Sequence, residues 1–264
     1  MKRILLAALF FTFTGFSWPA PVQAQSPLSA SEVAAIRKGA EQGRASDQSV
    51  LGSMYYMGVG VPQDDVQACK WFRKAAEQGN AGGQAMLGNA YWTGEGVPQD
   101  YVQAVLWLRK AAEQGDRFAQ YRLGVAYHSG QGVPQDYAQA VSWYRKSADK
   151  GEAEAQFMLG TIYQFAEGVP QDYTQAVNWF RKAAEQGYAG GQALLGHNYH
   201  YGNGLPQDFV LAYAWLNLAA SQGDEKAGSA RDAVAGKLSP SELAEAQRLS
   251  SSWQKGQSIQ REKR

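Results

Sequence analysis

Apolar residues recur along this chain at the spacing of amphipathic helices. Ala68, Trp71, Phe72 and Ala75 stand at positions i, i+3, i+4 and i+7, with polar residues between them. This spacing places the four side chains on one face of a helix, which we call helix B. We expect the tryptophan of this face to be buried, so replacing Trp143, the equivalent residue in a central copy, by alanine should cost several kcal/mol.

A second helical pattern, helix A, alternates with helix B along the chain. In the copy at residues 82–93, Gln84, Leu87 and Tyr91 share one face of the helix. Gly88 follows the leucine and costs about 1 kcal/mol of helix propensity. Because this cost recurs in the other copies, we expect the glycine to allow close approach of a neighbouring helix.

The pair of helices repeats every 36 residues, and this period predicts the fold. The sequence Val-Pro-Gln-Asp, or Leu-Pro-Gln-Asp in the last copy, occurs at residues 61–64, 97–100, 133–136, 169–172 and 205–208. A period of roughly 20 to 50 residues is typical of a solenoid, in which one structural unit stacks on the next. The sequence therefore predicts an all-α solenoid of five helix–turn–helix units, at residues 44–79, 80–115, 116–151, 152–187 and 188–223.

Local signals mark the ends of helix B. Asp64 precedes the helix and Gln67 follows three residues later, a spacing that resembles a capping box. Arg73 is expected to pair with Glu77 one turn later. Gly79 is expected to follow the helix in the left-handed conformation.

The repeat pattern changes within unit four and at both ends of the array. Ala166 replaces the glycine that follows helix A in the other units, so we expect a slightly different helix end there. Residues 25–33 are expected to form a linker, and residues 34–43 a single helix that covers the first unit. Residues 224–253 predict capping helices that close the solenoid, and the polar, basic residues 254–264 predict a disordered tail.

The first 24 residues have the layout of a secretory signal peptide. Lys2 and Arg3 precede an apolar run at residues 4–16, and small residues lead up to Ala24. The run is too short for a membrane span of roughly 20 residues, and no later stretch is long and apolar enough. The sequence therefore predicts cleavage near Ala24, no membrane span, and a periplasmic or secreted mature protein.

Charge and cysteine content limit the classes of partner. Removal of Lys2 and Arg3 leaves 23 of the 25 basic residues against 24 acidic ones, a formal net charge of −1. This balance argues against a nucleic-acid partner, which needs a concentrated basic surface. The single cysteine, Cys69, occupies a position where the next three units have valine, which favours a buried thiol. An intermolecular disulfide is the alternative.

The sequence contains no recognisable catalytic constellation. The patterns HExxH, GxSxG and CxxC and a phosphate-binding loop are missing, so we expect no catalytic residues, no cofactor and no enzymatic activity. His197 and His200 stand at i and i+3, a spacing that could serve a metal, but a zinc site needs three or four ligands. His128 lies two units away, and we therefore expect exposed histidines and no metal.

The repeated pattern resembles the Sel-one-like repeat family, a relative of the tetratricopeptide repeat. The matching elements are Leu-Gly, Tyr, Gly-x-Gly-Val, Asp, Ala, Trp and Ala-Ala-x-x-Gly, and the resemblance covers residues 34–253. It implies a right-handed superhelix that acts as a non-enzymatic interaction scaffold for a protein or peptide partner. It implies neither the identity of that partner nor the oligomeric state.

One row of helix A residues varies between units while the packing positions repeat. In the related families the equivalent helices line the concave face of the superhelix, so the resemblance implies a groove formed by this row. The large or amphipathic side chains of the row, which suit interface anchors, are Tyr56, Trp92, Tyr121, His128, Phe157 and His200. The alternative for Tyr121 and Phe157 is packing between neighbouring units.

Two further functions are compatible with the sequence. Aromatic side chains in a groove also suit stacking on sugars, so the ligand could be a carbohydrate or an envelope polymer such as peptidoglycan or exopolysaccharide. A cysteine-rich branch of the resembled family has been linked to β-lactam hydrolysis. That hydrolase function is the weaker alternative, because the paired cysteines and a Ser-x-x-Lys motif are missing here.

Overall fold

The computed structural model describes residues 29–259 and residue 261. The expected signal peptide, the cleavage near Ala24 and residues 25–28 of the expected linker lie outside these residues. The described residues form thirteen α-helices and no β-strand. The helices are α1 (Ala30–Glu41), α2 (Ala45–Met57), α3 (Asp65–Glu77), α4 (Ala81–Thr93), α5 (Tyr101–Glu113), α6 (Arg117–Ser129), α7 (Tyr137–Ala148), α8 (Ala153–Phe165), α9 (Tyr173–Glu185), α10 (Ala189–Tyr201), α11 (Phe209–Ser221), α12 (Glu225–Ala235) and α13 (Pro240–Ser251).

From α1 to α12, consecutive helices pack against one another, which confirms the all-α solenoid. The even-numbered helices α2 to α10 are the five copies of helix A, and the odd-numbered helices α3 to α11 are the five copies of helix B. Each of α4, α6, α8 and α10 packs between the helix B before it and the helix B after it, and α2 packs between α1 and α3. α1 packs on α2 at one end, and α12 and α13 pack on α11 at the other. None of the helices in the described part is long and apolar enough to cross a membrane.

The core of each unit is centred on the residue after the recurrent tryptophan. Trp71, Trp107 and Trp143 are only partly buried, which differs from the expected core position, whereas Trp179 and Trp215 are buried as expected, with 6% and 1% of their surface exposed. The Lys146 ammonium lies 3.8 Å from the centroid of the Trp143 ring and covers its outer face. The residues that follow the tryptophans have at most 1% of their surface exposed; they are Phe72, Leu108, Tyr144, Phe180 and Leu216.

The recurrent glycine of helix A makes room for this buried residue. A Cβ atom at Gly88 would lie 2.8 Å from Cγ of Leu108 and 3.0 Å from the backbone nitrogen of the same residue. Adding a methyl group there would force helices A and B apart. The glycine therefore has the expected packing role, and the residue that approaches it is Leu108 of the following helix B.

In most of the described helices a capping side chain marks the beginning; α2, α8 and α10 have no side-chain cap. Asp64 Oδ1 accepts a hydrogen bond from the backbone nitrogen of Gln67 at 2.9 Å, so the recurrent aspartate is an N-cap. Ser29 and Glu32 form a complete capping box. This box makes α1 begin at Ala30, four residues earlier than the sequence analysis predicted. Ser239 and Glu242 form the same arrangement before α13.

The recurrent arginine of helix B bonds to the next helix and not to its own. Arg73 Nη2 donates to the hydroxyl of Tyr91 at 2.7 Å, where the sequence led us to expect a pair with Glu77. Its guanidinium carbon also lies 5.9 Å from the centre of that ring, within cation–π distance. The same bond connects Arg109 to Tyr127, Arg145 to Tyr163 and Arg181 to Tyr199.

A chain of buried glutamines also connects neighbouring helices. Gln84 of helix A has 5% of its surface exposed and donates to the Ala76 carbonyl of the preceding helix at 3.2 Å. It accepts a hydrogen bond from Gln114, at the end of the following helix, at 2.7 Å. Equivalent side-chain bonds run from Gln78 to Gln48, from Gln186 to Gln156 and from Gln222 to Gln192.

The end of helix A in unit four has the same geometry as in the other units. Ala166 adopts the left-handed conformation with φ of 60°, close to the 69° of Gly58 and the 73° of Gly130. The expectation of a different helix end was therefore wrong. The backbone keeps its path, and the alanine takes up a conformation that L-residues disfavour.

The described part of the C-terminal segment packs on the last repeat, which differs from the disordered tail expected from its composition. Ile259 is 8% exposed and belongs to a cluster that includes Trp215 and Leu211. Arg261 forms two hydrogen bonds with Glu245 of α13, at 3.0 and 3.1 Å, and one with Asp208, the N-cap of α11. Composition missed this because few residues make the contact: besides Ile259 and Arg261, the Gly256 backbone nitrogen donates to the Glu185 carbonyl.

Candidate functional site

The variable row of helix A lies at the junctions between neighbouring units. Tyr56 is half-buried, and its hydroxyl donates to Glu95 Oε2 of the next unit at 3.3 Å. The Trp92 ring makes an edge contact with Tyr101 at a centroid distance of 5.0 Å. The Arg122 guanidinium of the third unit lies 5.9 Å from the Trp92 ring centre. Tyr56 and Trp92 therefore join neighbouring units, and part of each side chain remains exposed to solvent.

The structure buries one residue of the row, Tyr121, more deeply than the others. Tyr121 is 6% exposed, and its ring lies 6.0 Å from the ring of Tyr144. Burial raises the pKa of Tyr121 far above its usual value. Phe157 is half-buried between Phe180, at 6.0 Å, and Tyr188, at 5.2 Å. Packing between units thus uses most of the surface of Tyr121 and part of that of Phe157.

The two histidines of the row have different polar neighbours. His128 Nε2 lies 2.9 Å from Glu167 Oε2 of the next unit, in a side-chain pair that is about three-quarters buried. His200 Nε2 lies 3.0 Å from the Lys237 ammonium. Burial, and then the charge of Lys237, lower the pKa of His200, which favours the neutral ring at physiological pH.

The helix A position that directly follows Tyr56, Trp92, His128 and His200 is more exposed than these residues. Met57, Phe165 and Tyr201 are 49%, 54% and 65% exposed, and each is the last residue of its helix. These three residues were not among those predicted from the sequence, although a comparison of the units at this position shows large apolar residues in units one, four and five. They add exposed apolar surface at three of the five helix A ends.

The described residues do not assemble a reaction centre of a recognisable kind. In residues 29–259 and 261, no group of three histidine, cysteine, aspartate or glutamate side chains is arranged to hold a metal ion. Cys69 is buried, and its thiol donates to the backbone carbonyl of Glu95 at 3.2 Å. Burial raises the pKa of Cys69 to about 11, so the thiol stays protonated at neutral pH and is a poor nucleophile.

Comparison with known families agrees with the repeat geometry. The family model of the Sel1 repeat matches residues 45–80, 81–116, 117–152, 153–188 and 189–224. The chain is a member of the Sel1 repeat family. Sel1 repeat proteins are generally non-catalytic scaffolds for protein interactions. Among curated proteins, no match to this Sel1 repeat chain was found.

Solved structures show the same fold. The crystal structure of a Sel1 repeat protein from Oxalobacter formigenes is 37% identical, with a TM-score of 0.69. The match covers 75% of this chain and 57% of that one, so this chain spans little more than half the length of that relative. A Sel1 repeat protein from Klebsiella pneumoniae subsp. pneumoniae is 24% identical, with a TM-score of 0.51, covering 77% of this chain and 99% of that one. The immunity protein Pa5087 from Pseudomonas aeruginosa is 20% identical, with a TM-score of 0.52, and the shares are 76% and 77%. At these lower identities the likeness concerns the fold alone.

Proposed function

We propose that this Sel1 repeat protein is a non-enzymatic scaffold that binds a partner protein along its helix A surface. The observation that carries the proposal is the exposed apolar side chain at three of the helix A ends, those of Met57, Phe165 and Tyr201. Phe165 and Tyr201 have more than half of their surface exposed, although the repeat pattern places no apolar residue there in units two and three. Exposed aromatic side chains that the fold does not need are typical of interface anchors.

Position-specific photo-crosslinking in the native host tests this proposal. A photoreactive phenylalanine analogue at position 165 or 201 should capture the same protein, and Trp92→Ala should reduce the yield several-fold. Leu106 is 50% exposed on helix B, so the analogue at position 106 is a matched control that should not capture that protein. Equal capture from all three positions, or capture of cell-wall polysaccharide alone, would overturn the proposal.

We also propose that the mature protein acts in the periplasm or outside the cell. The support is the charged, apolar and small-residue sequence of residues 1–24. Mass spectrometry of the protein purified from its host should show an N-terminus near residue 25. A protein that retains Met1 and fractionates with the cytoplasm would contradict this location.

A further inference from the structure

The first repeat unit lacks the aromatic ring with which helix B begins in the other four units. In those units a ring fills the junction beside the variable row. Tyr101 contacts Trp92 at 5.0 Å, and Tyr137 contacts His128 at 5.4 Å. The equivalent residue of the first unit is Asp65, a much smaller side chain. Its substitution for a ring leaves space between the first two units.

This space is a pocket of about 220 Å³ including its open mouth. Its enclosed part holds one group the size of a water molecule, with about 10 Å³ available to the centre of that group. Apolar side chains such as Phe72 and Met86 line part of the wall. The polar residues of the wall are Tyr56, Asp65, Cys69, Asn89 and Glu95.

Two oxygen atoms of the wall are buried and lack a hydrogen-bond donor. Asn89 is 5% exposed, and its Oδ1 has no hydrogen-bond partner among the described residues. Asp65 Oδ1 is also buried without such a partner. An unsatisfied buried acceptor costs about 1–3 kcal/mol. The repeat does not require these polar groups, because Val125 and Thr161 occupy the Asn89 position in the next two units.

The charges around the pocket also favour a donor that carries a positive charge. The wall contains two carboxylates, those of Asp65 and Glu95, and no lysine or arginine. Glu95 Oε2 already accepts hydrogen bonds from Tyr56 and from Thr93, at 3.3 and 3.1 Å. Two arginines, Arg73 and Arg122, act on the pocket electrostatically from outside the wall. Asp65 thus remains the carboxylate whose buried oxygen needs a donor.

We propose that this pocket binds a primary ammonium group, from a lysine side chain or from a free diamine. An ammonium carries three N–H donors and a compact charge, which matches the oxygens of Asp65 and Asn89 and the size of the enclosed space. A guanidinium or a trimethylammonium group exceeds the room for a single water-sized group. The inference does not rest on the proposed scaffold function, because a free diamine would occupy the pocket equally well.

Calorimetric titration of the full chain, with parallel amide NMR spectra, tests the proposal. The two probes are Nα-acetyl-lysine methylamide and cadaverine, which separate a protein-borne lysine from a free diamine. Saturable binding of either probe, with shifts of the Asn89 side-chain amide signals, is the expected result. The Nε-trimethyl form of the lysine probe should bind at least about tenfold more weakly, a difference of about 1.4 kcal/mol.

Variants of the pocket give a matched control. Asp65→Tyr installs the residue that begins helix B in three later units, so the fold should be kept while the pocket is filled and binding is lost. Asp65→Asn keeps the shape but removes the charge, and should weaken binding at least about tenfold. Glu113→Gln, at an exposed carboxylate on α5, should bind like the parent protein.

Three results would overturn the proposal. One is the absence of saturable binding with both probes, which would leave a water molecule as the occupant. The second is equal affinity for the trimethylated probe. The third is unchanged binding in a folded Asp65→Tyr protein, since the ring and the ammonium cannot occupy the same space.

Discussion

A single residue interrupts the glutamine chain that joins the helices of the solenoid. Lys150 occupies the position that holds Gln78, Gln114, Gln186 and Gln222 in the other units. Its ammonium donates to the Gly115 carbonyl, and the buried Oε1 of Gln120 has no hydrogen-bond partner among the described residues. The Gln120 oxygen is therefore an unsatisfied buried acceptor, whereas the equivalent glutamine oxygens of the other units each accept a hydrogen bond.

Lys150→Gln should restore this bond and stabilise the protein. A net gain of about 1 kcal/mol is expected, because the new amide would satisfy Gln120 as Gln114 satisfies Gln84. The urea unfolding midpoint, followed by circular dichroism, measures the effect. Gln114→Lys is the reverse change in the second unit and should lower the midpoint by a similar amount. An unchanged or lower midpoint for Lys150→Gln would contradict this account of the buried acceptor.

Ala166→Gly should also stabilise the chain. The alanine has φ of 60°, and a left-handed residue with a Cβ costs roughly 1–2 kcal/mol. The greater freedom of glycine in the unfolded chain offsets part of this gain, so we expect a net increase of about 0.5–1 kcal/mol. Thermal melting measures the change. Gly130→Ala, at φ of 73°, should have the opposite effect, and a loss of stability for both variants would contradict the strain assigned to Ala166.

Within one helix, adjacent aromatic residues should differ in their contribution to stability. Tyr144 of α7 is fully buried, whereas Trp143 has Lys146 over an accessible face. Tyr144→Ala should therefore cost about 3–5 kcal/mol, and Trp143→Ala less than half of that. Chemical unfolding of both variants tests the order.

Tyr144→Phe is the control for this pair. The hydroxyl of Tyr144 is buried without a hydrogen-bond partner among the described residues, and phenylalanine fills the same place in the first and fourth units. The variant should be at least as stable as the parent, because it removes an unsatisfied polar group. A greater loss of stability for Trp143→Ala than for Tyr144→Ala would mean that the core is centred on the tryptophan and not on the residue after it.

At the level of the helices, the 36-residue period alone predicted the fold, because each unit repeats the same spacing of apolar residues and helix-end residues. The spacing of Asp64 and Gln67 likewise identified a helix N-cap without any knowledge of the fold. The bond between Arg73 and Tyr91 was not predictable in this way, since it depends on how two helices cross. The pocket at Asp65 could have been found from the sequence by asking where one unit replaces an aromatic residue by a small polar one.

At the scale of the whole molecule, the C-terminal segment should stabilise its own end of the solenoid selectively. Ile259→Ala should cost about 2 kcal/mol or more, since the side chain is 8% exposed in the cluster around Trp215. Hydrogen exchange should accelerate in α11 and α13 and stay unchanged in α2 to α5, because each unit contacts only its neighbours.

The exposed neighbour Gln257 offers a control for the same segment. Gln257→Ala should leave the exchange rates of α11 and α13 as they are, because the side chain lies in solvent. Faster exchange throughout the described helices of the Ile259→Ala protein would contradict a local effect and indicate that the solenoid unfolds as a single unit.

The packing of each helix on its neighbours in the chain also bears on how the protein responds to force. Because the contacts join residues close in sequence, folding should be fast, and extension should unravel the array one unit at a time. The two ends are not equivalent. The segment around Ile259 and Arg261 ties α11 to α13, while α1 packs at the opposite end on α2. When force is applied to its two ends, the molecule should therefore unfold first at α1 and last in the C-terminal units.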